Sequence, residues 1–149
     1  MLMTGSAHID AERAFTRAAR ARRRATIMRR LRGAPSARTR LSVYDPREVR
    51  SHGAVSGRRI REIPLCAISG TLEPARATMF DGAFRPTGAA RARWQRLWLA
   101  EHRGTVLPPI SVVPVEDGYA VRDGHHRVSV ALARGALTID ATVESVPAS

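Results

Sequence analysis

A strand that ends at an Asp-Gly pair and hands straight over to a helix constrains this chain more than any other stretch. Residues 110–123 hold Ile110, Val112, Val113 and Val115, then Glu116-Asp117-Gly118, then Tyr119, Ala120 and Val121. Two apolar runs around an Asp-Gly pair read as a β-hairpin. Asp123-Gly124 then breaks the second strand. Val128, Ala131 and Leu132 follow at helical spacing until Gly135 supplies a stop. The run Asp123-Gly124-His125-His126-Arg127 therefore falls where a strand becomes a helix N-terminus. Unpaired backbone N–H groups and the positive end of the helix dipole meet at such a place, and anions bind there. Arg127 stands in the first turn, where the dipole disfavours a cation, and a phosphate between the two resolves the conflict. Asp123 reads as a helix N-cap or as a catalytic base.

The net charge of +12 is segregated along the chain. Residues 1–61 carry sixteen arginines against four acids, whereas residues 62–149 carry nine against nine. There is no lysine, so coding bias explains arginine over lysine, but it does not explain the segregation. Two parts are expected: an Arg-rich helical arm and flexible linker over 1–61, and a folded domain over 62–149. Residues 8–32 read as one helix capped by Ser6, with Asp10 and Glu12 near its positive end. Ala11, Ala14, Ala18, Ala21, Ala25 and Met28 draw a narrow seam flanked by Phe15. Such a seam buries little area, so the helix is expected to dock loosely or to order on a partner. Arg17, Arg20, Arg22, Arg23, Arg24, Arg29 and Arg30 are the candidate nucleic-acid contacts, because dense cationic helices suit a phosphate backbone. An anionic membrane is a weaker fit, since Phe15, Ile27, Met28 and Leu31 are almost its whole apolar face. A solvated helix with no partner is the plain alternative.

Residues 36–61 read as irregular, with a turn at Tyr44-Asp45-Pro46 and a flexible stretch over 51–57. Ile60 to Ile68 suits an edge strand interrupted by Pro64. Residues 69–86 read as a long loop carrying Phe80 and Phe84 beside Arg85. Residues 88–103 read as a helix whose Trp94 and Trp98 both enter the core, and 137–146 as a closing strand. Cys66 is the only cysteine, which excludes an internal disulfide framework or a four-cysteine zinc site. No metal site is assigned. No apolar run approaches the roughly 18 residues of a membrane span, and no signal-peptide core is evident. A cytoplasmic protein without a membrane partner is expected.

The order edge strand, Phe84-Arg85-Pro86, helix, Leu107-Pro108-Pro109-Ile110-Ser111-Val112-Val113, Asp117-Gly118-Tyr119-Ala120-Val121, Asp123-Gly124-His125-His126-Arg127, Ala-rich helix and final strand resembles the ParB/sulfiredoxin superfamily over residues 60–146. The resemblance implies an α+β fold, a small mixed β-sheet with packed helices, preceded here by the basic helix. It also implies that the box holds a nucleoside triphosphate tail. Partition proteins carry Gly-Glu-Arg-Arg there, sulfiredoxin Gly-Gly-Cys-His-Arg, and relatives that phosphorylate free serine Asp-Gly-x-His-Arg. On that pattern Gly124 lets backbone approach phosphate, Arg127 and Arg85 contact phosphate oxygens, and His125 and His126 complete the phosphate site. His125 stands where sulfiredoxin has its cysteine, so sulfinic-acid reduction is not expected. The helix-turn-helix and dimerisation modules of partition proteins are not evident after the box, so a sliding DNA clamp is not expected.

The expectation is a ParB-like nucleotide-binding protein, taking CTP or ATP with Mg2+ held by Asp123 or Asp81. It would bind nucleic acid, DNA in the first instance, through residues 1–61, as a regulatory or DNA-maintenance accessory factor. The alternative is a small-molecule kinase or nucleotide hydrolase in which Asp123 and His126 are catalytic. A third reading is a protein-interaction module whose contact is an exposed Phe80/Phe84 loop.

Overall fold

The computed structural model describes residues 6–33, 39–49 and 58–144. The flexible stretch expected over 51–57 and the end of the final strand at 145–146 lie outside them. The helices are α1 (Ala7–Leu31), α2 (Pro74–Ala77), α3 (Arg91–His102) and α4 (His125–Ala133). The strands are β1 (Ser42–Val43), β2 (Arg58–Pro64), β3 (Ile68–Thr71), β4 (Ile110–Val115), β5 (Gly118–Asp123) and β6 (Thr138–Glu144). They form one mixed sheet in the order β1-β3-β5-β4-β6-β2, so the architecture is α+β.

The hairpin forms as expected, with Val115 paired to Gly118 and only Glu116 and Asp117 between them. Its register then shifts: Val112 pairs with Val121, but Ser111 pairs with Asp123. Arg122 is the extra residue of this bulge, and its Nε is 2.8 Å from Glu144 Oε2 on β6. A bulge bends and re-aims a strand end, here the end that delivers Asp123 and Gly124 to α4. Strand β2 is an edge strand, antiparallel to β6 from Arg58↔Glu144 to Pro64↔Thr138.

The stretch from Ile60 to Ile68 is not one interrupted strand. After Pro64 the chain makes a 3-10 turn over Leu65–Ala67, and Ile68–Thr71 form β3 on the other side of the sheet. Strand β3 runs parallel to both β1 and β5. It is largely buried, so no alternation of polar and apolar residues marks it. Ser42–Val43 are likewise a strand, where irregular chain was expected.

The expected long loop over 69–86 is also corrected. It contains the end of β3, α2 and a tight turn built on Asp81, a fully buried carboxylate. Asp81 Oδ1 accepts from the backbone N–H groups of Ala83 and Arg85, both at 2.9 Å, and Arg85 Nη1 donates to Oδ2 at 3.2 Å. The turn drives Phe80 and Phe84 into the main core, their ring centroids 6.1 Å apart. An exposed aromatic contact loop is therefore overturned.

Helix α1 is capped by Ser6, whose Oγ accepts from Ile9 N at 3.3 Å. Its docking row is Ala11, Phe15 and Ala19, four residues apart, rather than the alanine seam. Phe15 is fully buried against Trp94 and Val130. Loose docking is corrected accordingly: one phenylalanine supplies the buried area that alanines lack. Trp94 is core, with Nε1 donating to Ser129 Oγ at 2.9 Å. Trp98 is only half-buried, stacked on His102 with centroids 4.7 Å apart.

Candidate functional site

The box lies where β5 ends and α4 begins. Gly124 holds the junction at φ +107, a left-handed conformation that favours glycine. A Cβ there would fall 2.5 Å from Ile110 Cγ2, so the missing side chain also makes room for β4. Gly124, not Asp123, is the helix N-cap residue, and no side chain caps α4. The first intrahelical bond runs from Val128 N to Gly124 O, which leaves the N–H groups of His125, His126 and Arg127 at the open end of the helix.

Arg127 does not point into free space. Its Nη1 donates to the carbonyl oxygens of Pro108 at 2.6 Å and Pro109 at 2.8 Å, and its Nη2 donates to Asp123 Oδ2 at 2.9 Å. With the side chain 12% exposed, this guanidinium clamps the loop before β4 onto the helix start. The cation in the first turn thus finds acceptors within the protein. Asp123 is 69% exposed on the side chain.

The two histidines diverge, as neighbours on a helix must. His125 is 4% exposed, with Nε2 2.6 Å from Thr71 Oγ1. That hydroxyl is also 3.3 Å from Val121 O and accepts from Glu73 N at 2.9 Å. A hydroxyl has one proton to give and two lone pairs. The arrangement that uses all of them has His125 Nε2–H donating to Thr71, which donates to Val121. His126 is 5% exposed and meets the Phe80 ring edge-on at 5.2 Å. It makes no hydrogen bond within the described residues. Burial lowers the pKa of both histidines from 6.5 to about 4. For His125, Arg76 and then His126 add to the effect, Asp123 opposes it and Arg93 adds a little; for His126, Arg93 and Arg76 add to it. Both rings are therefore neutral near pH 7, which makes His126 a donor or acceptor and a weak general base there.

Arg76 of α2 and Arg93 of α3 face the box across a cleft of about 30 Å³ that His126 and Asp123 also line. This is room for a water or two as it stands, so a phosphate requires the rim arginines to move outward. They are free to do so: Arg93 is exposed, and the one side-chain hydrogen bond of Arg76 among the described residues goes to the Met79 sulfur at 3.4 Å. Neither has an ion pair among the described residues. Sequence reasoning missed both arginines, because each sits in a different element far from the box and no local pattern joins them. Arg85, expected at the same site, instead lines hollows beside α1 and is bound to Asp81. For magnesium, Asp81 does not fit, since it is buried and its oxygens accept from three donors. Asp123 fits as a single carboxylate beside the cleft. No cluster of three metal-binding side chains occurs among the described residues.

Of the arm arginines, Arg17 and Arg29 line hollows beside α1, while Arg20, Arg23, Arg24 and Arg30 are exposed. Arg22 is half-buried, with its Nε occluded. No helix of the described residues is long and apolar enough to cross a membrane. The class that fold and site define is an α+β domain with a cationic cleft at a helix N-terminus. No family model, curated protein or solved structure matches the chain.

Proposed function

We propose that this chain is a ParB-like nucleotide-binding protein that also holds nucleic acid through its basic N-terminal helix, serving as a regulatory or DNA-maintenance accessory factor. The observation that carries the nucleotide half is the cleft itself. Three backbone N–H groups at the α4 N-terminus, the unbonded His126 ring, Arg76 and Arg93 converge on one small space. A helix N-terminus with arginines opposite is the chemistry of phosphate recognition. The order of motifs over residues 60–146 supports the same reading, with CTP or ATP as ligand and Asp123, on the lining of the cleft, as the carboxylate for a shared magnesium ion. The nucleic-acid half rests on the arginines crowded onto α1.

The test is calorimetry with CTP, ATP, ADP and GTP in the presence of magnesium, on the wild type and on Arg76→Ala/Arg93→Ala. These rim residues are better probes than Arg127, which holds the fold. Tight binding of one nucleotide, weakened roughly tenfold or more in the variant, is expected. No binding by the wild type at millimolar nucleotide removes the nucleotide half. Turnover of the bound nucleotide, lost in Asp123→Asn, would extend the reading to a phosphotransferase or hydrolase.

A further inference from the structure

Two hollows lie along one flank of α1, between the helix and the body. The first, about 880 Å³, has Arg13, Arg17, Arg85 and Arg134 around a floor that includes Ala18, Ala21 and Phe84. The second, about 580 Å³, adds Arg32 and Arg40 near Ala25 and Met28. They share Ala83 and Arg85, so they meet end to end. The seam of small residues on α1 is the floor of this trough. From Arg13 to Arg32 the helix advances about 28 Å at 1.5 Å per residue.

We infer that this trough is a track for single-stranded nucleic acid. The inference rests on the nucleic-acid half of the reading above and names its substrate class. Charge complementarity is the main argument: of the six arginines named, Arg13, Arg17, Arg32 and Arg40 have no ion pair among the described residues, and Asp10 is the only acid on the lining. The shape is the second. The hollows meet end to end between α1 on one side and the Asp81 turn on the other, an elongated form that suits one extended strand. The third is the floor. Ala18, Ala21 and the exposed Leu132 offer apolar contact to bases without a hydrogen-bonding code, while arginines follow the phosphates. Binding is therefore insensitive to sequence and sensitive to salt.

Fluorescence anisotropy of the full chain with a short labelled oligothymidylate, and with its duplex, over a salt series tests this. Two variants accompany the wild type: Arg13→Ala/Arg17→Ala, both exposed on the helix, and Ala21→Phe, which fills the floor without changing charge. The single strand is expected to bind roughly tenfold more tightly than the duplex. The arginine variant should lower the salt slope by about 1.4, two contacts at about 0.7 each for a single strand. Ala21→Phe should weaken the single strand with the slope unchanged. Duplex binding as tight as the single strand, with both variants unaffected, overturns the trough and leaves nucleic-acid binding by α1 standing. No binding of either probe overturns both.

Discussion

The ring of Phe15 meets the ring of Trp94 edge-on, with centroids 5.5 Å apart and planes at 76°. Arg91 lies over the Phe15 ring at 4.6 Å, so one side chain of the basic helix is held by an aromatic edge and a cation at once. Because Trp94 is itself bonded to Ser129 on α4, the Arg-rich helix is tied to the helix that opens the cationic cleft.

Phe15→Ala should therefore release α1. Truncating a buried phenylalanine costs about 3–5 kcal/mol, and alanines alone cannot replace that area. Hydrogen exchange should show the amides of α1 losing protection while those of β4 and β5 keep theirs. Unchanged protection along α1 would mean that the helix is held by something other than this contact.

Arg127→Ala and Arg127→Lys should both destabilise the fold, by about 2–4 kcal/mol, since a half-buried clamp onto two carbonyls and a carboxylate is lost. Lysine has no planar fork and cannot reach three acceptors at once. Asp123→Asn should cost less than about 1 kcal/mol, because that side chain is mostly exposed. Urea unfolding of the three variants decides it. Equal losses for Asp123→Asn and Arg127→Ala would show the ion pair, not the carbonyl contacts, to be what matters.

The hairpin, the strand-to-helix junction, the edge strand and the long helices were legible because each announces itself locally, by a turn pair, a period or a proline. Strand β3 was not, since four largely buried residues carry no alternation. The Asp81 turn was hidden because the sequence shows Phe80, Asp81, Phe84 and Arg85 but not that one carboxylate folds them inward. The site was half legible. The box marked the helix N-terminus, but the acceptors that occupy Arg127 are backbone carbonyls, which have no sequence signature. Arg76 and Arg93 reach the cleft only through the packing of α2 and α3.

Gly124→Ala tests how far the junction depends on glycine. The substitution meets both a left-handed φ and Ile110 within van der Waals radius. Strain of this kind costs about 1–3 kcal/mol before the clash is counted. Measured in an Ile110→Ala background, which removes the crowding Cγ2, Gly124→Ala should recover part of that loss in a thermal melt. No recovery would place the whole cost in backbone conformation.

The two buried histidines give the last prediction, a pH dependence with a definite sign. Their pKa values are about 4 folded and near 6.5 unfolded, so between those limits the unfolded chain binds more protons. Stability then rises with pH: it is complete above pH 6.5, falls as the pH drops toward 4, and levels off below that. By pH 5 the loss is on the order of 2 kcal/mol for each histidine. Urea unfolding from pH 7.5 to 4.5 in a phosphate-free buffer, on the wild type and on His126→Phe, isolates one ring from the carboxylates that titrate lower. The variant should lose about half of the histidine-dependent slope while keeping the edge packing against Phe80. If the two slopes coincide, His126 is protonated as readily folded as unfolded. The cleft would then carry an extra positive charge below pH 6.5, and anion binding there should strengthen as pH falls.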